Sequence, residues 1–288
     1  MADTESEARD SSFTNADGKK IFCHYWCDDI KDPRALIFIC HGAGEHCLWY
    51  TPLAQLLKEA GCYVFAHDHV GHGQSEGDRM HVEDFHEYVR DCFHHFDQVA
   101  EQFPNVPKFA IGHSMGGAIT IISAMERTDY FDGIILIAPA VIADPVTVTP
   151  LKIFFGKIAA RICPQAPILY LNPDHISRDE AVVLRYKDDP LVYHGGLKAR
   201  WGASFLKWLQ FIEANMRVLK CPVMTMHGTE DRLTHPNGSR LLAEKVSSTD
   251  KTLKLYEGFY HQLHSEPGED GAGVRQEVVD WITARLKK

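Results

Sequence analysis

Several protein classes are excluded by what the sequence lacks. No apolar run reaches the roughly 18 residues that a membrane-spanning helix requires, so none is expected. Basic excess is absent: the formal net charge is −9, which argues against a nucleic-acid partner. The eight cysteines contain no C-x-x-C pair, and several sit in apolar runs, where buried free thiols are the expectation rather than a disulfide framework. The opening M-A-D-T-E-S-E-A-R-D is polar and acidic, without the apolar centre of a secretory signal, so a cytoplasmic location is expected. There is no H-E-x-x-H. His86, His94 and His95 share one expected helix but read as surface or packing residues, and neither a metal nor a cofactor is expected. What remains is an ordinary globular composition, 45% apolar and 24% charged over 288 residues, enough for one large domain or one domain with an insertion.

The sequence turns on P-K-F-A-I-G-H-S-M-G-G-A at 107–118. An apolar strand ends at Ile111, Gly112-His113-Ser114-Met115-Gly116 follows, and an apolar helix opens behind it. This strand–turn–helix setting is that of a G-x-S-x-G nucleophile elbow. Glycines are needed because side chains flanking so sharp a turn would clash with the neighbouring elements. Ser114 is thereby the candidate nucleophile, presented at the top of a sheet above a helix N-terminus.

Short apolar runs at 35–40, 62–66, 133–137, 221–226 and 253–256 read as buried strands. Residues 50–59, 82–103 and 273–286 carry apolar residues at helical spacing. Residues 19–26, after Asp17-Gly18, suggest an edge hairpin, and residues 1–12 a mobile tail. Strands alternating with helices predict a mostly parallel central sheet covered by helices on both faces. From 141 to 219 the pattern lapses into proline-interrupted, helix-like pieces, too long for one crossover. The expected organisation is a first core part at 13–140, an inserted, mainly helical cap at 141–219 and a second core part at 220–288.

A serine hydroxyl needs a base, and the base an orienting acid. The strand ending at Met226 leads into H-G-T-E-D-R, offering Asp231 with Glu230 as rival. The last strand leads into Y-E-G-F-Y-H-Q-L-H, offering His261 with His264 as rival. The order Ser114, Asp231, His261 is the one this fold uses. After the first central strand, His41-Gly42-Ala43-Gly44-Glu45-His46 can turn amides inward, so the Ala43 and Met115 N–H groups are the expected oxyanion donors, typically worth about 3 kcal/mol each in the transition state.

H-G-A-G-E-H at 41–46, A-H-D-H-V-G-H-G-Q-S-E-G at 66–77, G-H-S-M-G-G at 112–117 and K-T-L-K-L-Y-E-G-F-Y-H at 251–261 together resemble the monoglyceride lipases, serine hydrolases of the α/β-hydrolase fold. The similarity extends into the cap at D-P-L-V-Y-H-G-G-L-K, 189–198. It implies Ser114, Asp231 and His261 as triad, Ala43 and Met115 as oxyanion hole, and Glu45, His46 and Tyr186 as substrate-binding residues. It implies hydrolysis of a monoacylglycerol to fatty acid and glycerol without a cofactor, and peripheral membrane contact through the cap. Cysteines that make the mammalian enzymes thiol-sensitive are replaced here by Tyr193, Arg200 and Thr234, so that sensitivity is not expected. The segment L-K-I-F-F-G-K-I-A-A-R-I (151–162) is apolar and basic, as contact with an anionic membrane surface requires. The alternatives are a lysophospholipase or broad carboxylesterase with the same triad, a haloperoxidase-like enzyme, and a non-catalytic lipid-binding module on the same fold. Monomer and homodimer are both compatible with the sequence.

Overall fold

The structure is a computed structural model that describes residues 9–26, 30–143 and 149–286, with the backbone alone for 150–152. In chain order its strands and helices are β1 (Arg9–Thr14), β2 (Lys20–Tyr25), β3 (Leu36–Cys40), α1 (Thr51–Glu59), β4 (Tyr63–His67), α2 (His86–Ala100), β5 (Lys108–His113), α3 (Met115–Glu126) and β6 (Gly133–Ile137). Then follow α4 (Pro150–Ile162), β7 (Pro167–Leu169), α5 (Glu180–Asp188), β8 (Leu197–Lys198), α6 (Ala199–Asn215), β9 (Val223–Gly228), α7 (Pro236–Lys245), β10 (Lys251–Tyr256) and α8 (Glu269–Thr283).

The eight-stranded sheet runs β1-β2-β4-β3-β5-β6-β9-β10. The β1–β2 and β2–β4 pairings are antiparallel and the rest parallel, which is the α/β-hydrolase architecture. Every residue of β3, β4 and β6 is buried, as strands covered on both faces must be. From β3 the chain pairs outward to β4 on one side and to β5 on the other, so the order reverses there. In such sheets ligands bind beyond the carboxyl ends of the strands at the reversal. Helix α3 lies in the interior, with all residues from Met115 to Met125 buried, so its N-terminus is fixed by packing on all sides.

Three sequence expectations are corrected. The strand expected to be buried at 253–256 is β10 at the edge of the sheet, where none of its residues is fully buried. Of the expected tail, residues 1–8 lie outside the described residues, but Arg9–Ser12 pair with Phe22–Tyr25 in the hairpin. Asn15 secures the turn: its side-chain oxygen accepts from the Asp17 and Lys19 amides, and its amide donates to the buried Asp91. The helix expected from Val82 begins only at His86, because the Asp84 carboxylate accepts from the His86 amide and stops the helix there. The Phe85 amide is taken by Ser204 Oγ of α6 at 2.7 Å.

Between β6 and β9 lie α4, α5, α6 and the small antiparallel pair β7–β8. This stretch is tied down over the carboxyl ends of the strands. The Tyr193 amide donates to the Gly44 carbonyl, and the Gln262 amide to that of Ile176, both at 2.7 Å. Arg178 pairs with the buried Glu266 at 2.8 Å.

Candidate active site

Ser114 stands between β5 and α3 with φ 54° and ψ −118°, a left-handed conformation that a non-glycine residue holds only when its surroundings impose it. The imposing contacts are visible. A Cβ on Gly116 would lie 2.0 Å from the Cys40 carbonyl oxygen, and one on Gly112 2.4 Å from that of Gly116. Strand β3 and the elbow are therefore packed backbone to backbone. The Ser114 amide donates to Ile137 O, and its carbonyl accepts from the Ala140 amide, which binds the elbow to the end of β6.

Asp231 lies in the loop after β9 and His261 in the loop after β10. His261 Nδ1 donates to Asp231 Oδ2 at 2.7 Å. The carboxylate is held from every side: Oδ1 accepts from the Leu233 and Thr234 amides at 2.7 and 3.1 Å, and Oδ2 also accepts from Thr234 Oγ1 at 2.8 Å and pairs with His227 Nε2 at 3.1 Å. Burial opposes its charge, but the adjacent His261 and the His227 and His261 hydrogen bonds override that and hold its pKa below the usual carboxylate range. His227 is oriented in turn by Ser239 Oγ, 2.6 Å from Nδ1. For His261, burial is the largest influence and lowers the pKa against the opposing pull of Asp231. The rivals are placed elsewhere. Glu230 is exposed. His264 is buried beneath the site, stacked on Tyr50 with ring centroids 4.9 Å apart, and burial lowers its pKa to about 3.

Ser114, His261, Asp231, Ala43 and Met115 line one cavity of about 1260 Å³. Its remaining wall is largely apolar, including Ile142, Leu169, Leu197, Trp201, Phe205 and Leu209. In the loop after β3, the Gly42 amide donates to Glu45 Oε1 at 2.6 Å, which removes it from the available donors and leaves Ala43 next in line.

The three residues taken from the resemblance for substrate binding separate here. Tyr186, on α5, is at the cavity wall. Glu45 also reaches it, but both its oxygens are engaged: Oε1 by Gly42, Tyr50 and His113, and Oε2 by Gln262 Nε2 at 2.8 Å. Burial disfavours its charge, yet His113 and Tyr50 hold its pKa below the ordinary carboxylate range. His46 is not among the residues lining the cavity. Its Nε2 meets Asp189 Oδ2 at 2.9 Å, so it ties the loop after β3 to the cap. Sequence reasoning passed over Gln262, which lines the cavity beside His261, and His227, which supports Asp231. The only available signal for His227 was its position four residues before the acid.

The geometry provides a strained serine, an imidazole oriented by a buried carboxylate, a neighbouring amide-bearing loop and a large apolar chamber, a combination suited to acyl transfer on a lipophilic ester. The family described as serine aminopeptidase, S33 (Hydrolase_4) matches residues 31–268. Monoglyceride lipase of Rattus norvegicus is 44% identical over 94% of this chain and 89% of its own length. Among solved structures, the monoacylglycerol lipase of Paleococcus ferrophilus superposes with a TM-score of 0.79 at 29% identity, covering 97% of this chain and 99% of that one. A soluble variant of monoglyceride lipase from Saccharomyces cerevisiae, in complex with a substrate analogue, superposes with a TM-score of 0.85 at 25% identity, covering 98% and 96%.

Proposed function

The chain belongs to the monoglyceride lipases within the serine aminopeptidase S33 family, and from that premise we propose that it hydrolyses the ester bond of monoacylglycerols to a fatty acid and glycerol. In this reading His261 takes the Ser114 proton as the oxygen attacks the acyl carbonyl. The oxyanion settles on the Ala43 and Met115 amides. His261, held by Asp231, protonates the departing glycerol oxygen, and water then repeats the sequence on the acyl-enzyme. The acyl chain occupies the apolar chamber, and Tyr186 and Glu45 form the polar end, with His46 behind them on Asp189.

The observation that carries the choice of substrate is the state of Glu45. An aminopeptidase must meet a substrate ammonium with a free carboxylate. Among the described residues the acidic ones at the cavity wall are Glu45 and Asp231, and both are already engaged by protein donors. An uncharged glycerol head makes no such demand. The test is a panel of monoacylglycerols, lysophospholipids, triacylglycerols and aminoacyl amides, with Ser114→Ala as control. Turnover of monoacylglycerol well above the others is expected. Preference for lysophospholipid or peptide, or equal fluorophosphonate labelling of wild type and Ser114→Ala, would overturn the reading.

The cap supplies a route for the lipid. On α4, Phe154 and Phe155 are each 59% exposed and Ile162 is 74% exposed, with Lys157 and Arg161 on the same helix. The side chains of Leu151 and Lys152 lie outside the described residues. Among the described residues no helix is long and apolar enough to cross a membrane, so the contact proposed for 151–162 is peripheral.

A further inference from the structure

Away from the cavity, the core holds a concentration of groups that the hydrolytic reaction does not use. Cys40 ends β3, His69 lies in the loop after β4, and Cys92 is on α2; all three are buried. Cys40 Sγ is 4.0 Å from Cys92 Sγ and 3.4 Å from His69 Nε2, and one ligand atom from each residue falls within 4.8 Å of the others. We propose that these three side chains bind a thiophilic divalent cation of the zinc class, in a structural site beneath the loop after β3.

The distances are those the chemistry asks for. With metal–sulfur bonds of about 2.3 Å and metal–nitrogen bonds of about 2.0–2.1 Å, tetrahedral edges are about 3.8 Å between sulfurs and about 3.5 Å between sulfur and nitrogen. Cys40 and Cys92 also border a small, largely apolar cavity of about 10 Å³ that His69 does not reach, so the ion is placed by the three ligand atoms and not by this void. Two thiolates cancel a divalent charge, so the filled site is neutral, as a dry core requires. Filling it breaks two S–H bonds, forms two metal–sulfur bonds and releases two protons to the buffer.

The surroundings hold the imidazole in the required tautomer. His69 Nδ1 is 3.2 Å from His67 Nε2, His67 Nδ1 is 3.3 Å from His95 Nδ1, and His95 Nε2 is 2.9 Å from Tyr25 Oη. When His69 Nε2 gives its lone pair to the ion, its Nδ1–H donates to His67, His67 donates to His95, and His95 to the tyrosine oxygen. Every ring nitrogen in that chain is satisfied, which is the outer support that metal-binding histidines generally have. His67 Nε2, 3.8 Å from Cys92 Sγ, is committed as the acceptor for His69 Nδ1–H, so Cys40, His69 and Cys92 are the protein ligands. The site also touches the catalytic scaffold: the His69 amide donates to His41 Nε2 at 2.9 Å, directly before the Gly42-Ala43 turn. These ligands come from three separate segments, which is why no local spacing in the sequence announced them.

The experiment is metal analysis of protein expressed in zinc-supplemented medium and passed over a weak chelator. Wild type should retain about one zinc per chain, and Cys92→Val, altered on α2 away from the hydrolytic residues, less than about a tenth of that with ester hydrolysis unchanged. Zinc in wild type no higher than in the variant overturns the proposal. Should the variant fail to fold, cobalt-loaded wild type decides alone: a thiolate-to-cobalt charge-transfer band supports the site, and its absence overturns it.

Discussion

The replacement Asp231→Asn separates an orienting role for this residue from a merely structural one, and its outcome follows from the hydrogen bonds. An asparagine has one acceptor oxygen where aspartate has two. The site of Oδ1 faces two immovable donors, the Leu233 and Thr234 amides at 2.7 and 3.1 Å. Placing an NH₂ group there would oppose donor to donor twice, at a cost of about 1–3 kcal/mol for each unsatisfied buried group. The amide oxygen therefore takes that position and the NH₂ faces His261 Nδ1. To meet it, Nδ1 must become an acceptor and the ring proton moves to Nε2, the nitrogen that receives the Ser114 proton in the proposed mechanism. The imidazole is then correctly placed in the wrong tautomer. For a triad of this kind the loss in kcat is about 10⁴-fold, equivalent to about 5.5 kcal/mol. The assay is steady-state hydrolysis of a soluble short-chain ester by wild type, Asp231→Asn and Glu230→Gln, with thermal unfolding as a check on the fold. Glu230 is exposed, so its variant should match wild type. Activity of Asp231→Asn within tenfold of wild type, or a loss confined to KM, would refute the reasoning.

Further expectations follow from the same contacts. Because burial lowers the His261 pKa from 6.5 and the base must be neutral, kcat/KM should rise with pH through a midpoint below 6.5 and be level at neutrality; a midpoint above 6.5 in a pH–rate profile would contradict this. His264, held near pKa 3, stays neutral in the folded chain while the unfolded chain takes up a proton below 6.5, so stability is lost as pH falls through that window. His264→Phe should remove this loss, gaining about 1.4 kcal/mol relative to wild type one pH unit below 6.5 compared with near-neutral pH, as read from urea unfolding at the two pH values. The double variant Phe154→Ser, Ile162→Ser should weaken binding to anionic vesicles roughly thirtyfold, at about 1 kcal/mol per exposed apolar side chain, with soluble-ester turnover unchanged because neither residue lines the chamber. Equal vesicle binding by variant and wild type would remove α4 from the membrane contact.

The sequence displayed the sheet because parallel strands buried on both faces must be continuously apolar, and L-I-F-I-C and G-I-I-L-I have no other economical reading. The elbow was legible because its glycines answer backbone contacts as short as 2.0 Å, which leave no other residue type. Position in the chain gave the candidate loops for acid and base but not the choice within them. Glu230 and Asp231 are adjacent, and only the fold turns one to solvent and surrounds the other with donors. The same limit explains His46 and Gln262. Both flank residues assigned from motifs, and the direction of each side chain depends on partners remote in sequence: Asp189 for His46 and Glu45 for Gln262. Hairpin residues 9–12 do not announce a strand because Arg-Asp-Ser-Ser is polar throughout, which suits an exposed edge strand as well as a tail.

Glu45 shows how the polar and apolar halves of the chamber are held in register. It fixes the Gly42 amide and so the loop carrying Ala43; through Tyr50 and His113 it reaches the residue before Ser114; through Gln262 it reaches the residue after His261. One buried carboxylate thus spans the neighbours of the proposed donor, nucleophile and base. An ion in this position has value only while all its partners remain, because breaking a buried charged network costs about 3–5 kcal/mol. The opposite end of the chamber is built differently. Phe155 both lines it and stands 59% exposed, so α4 is at once wall and outer surface.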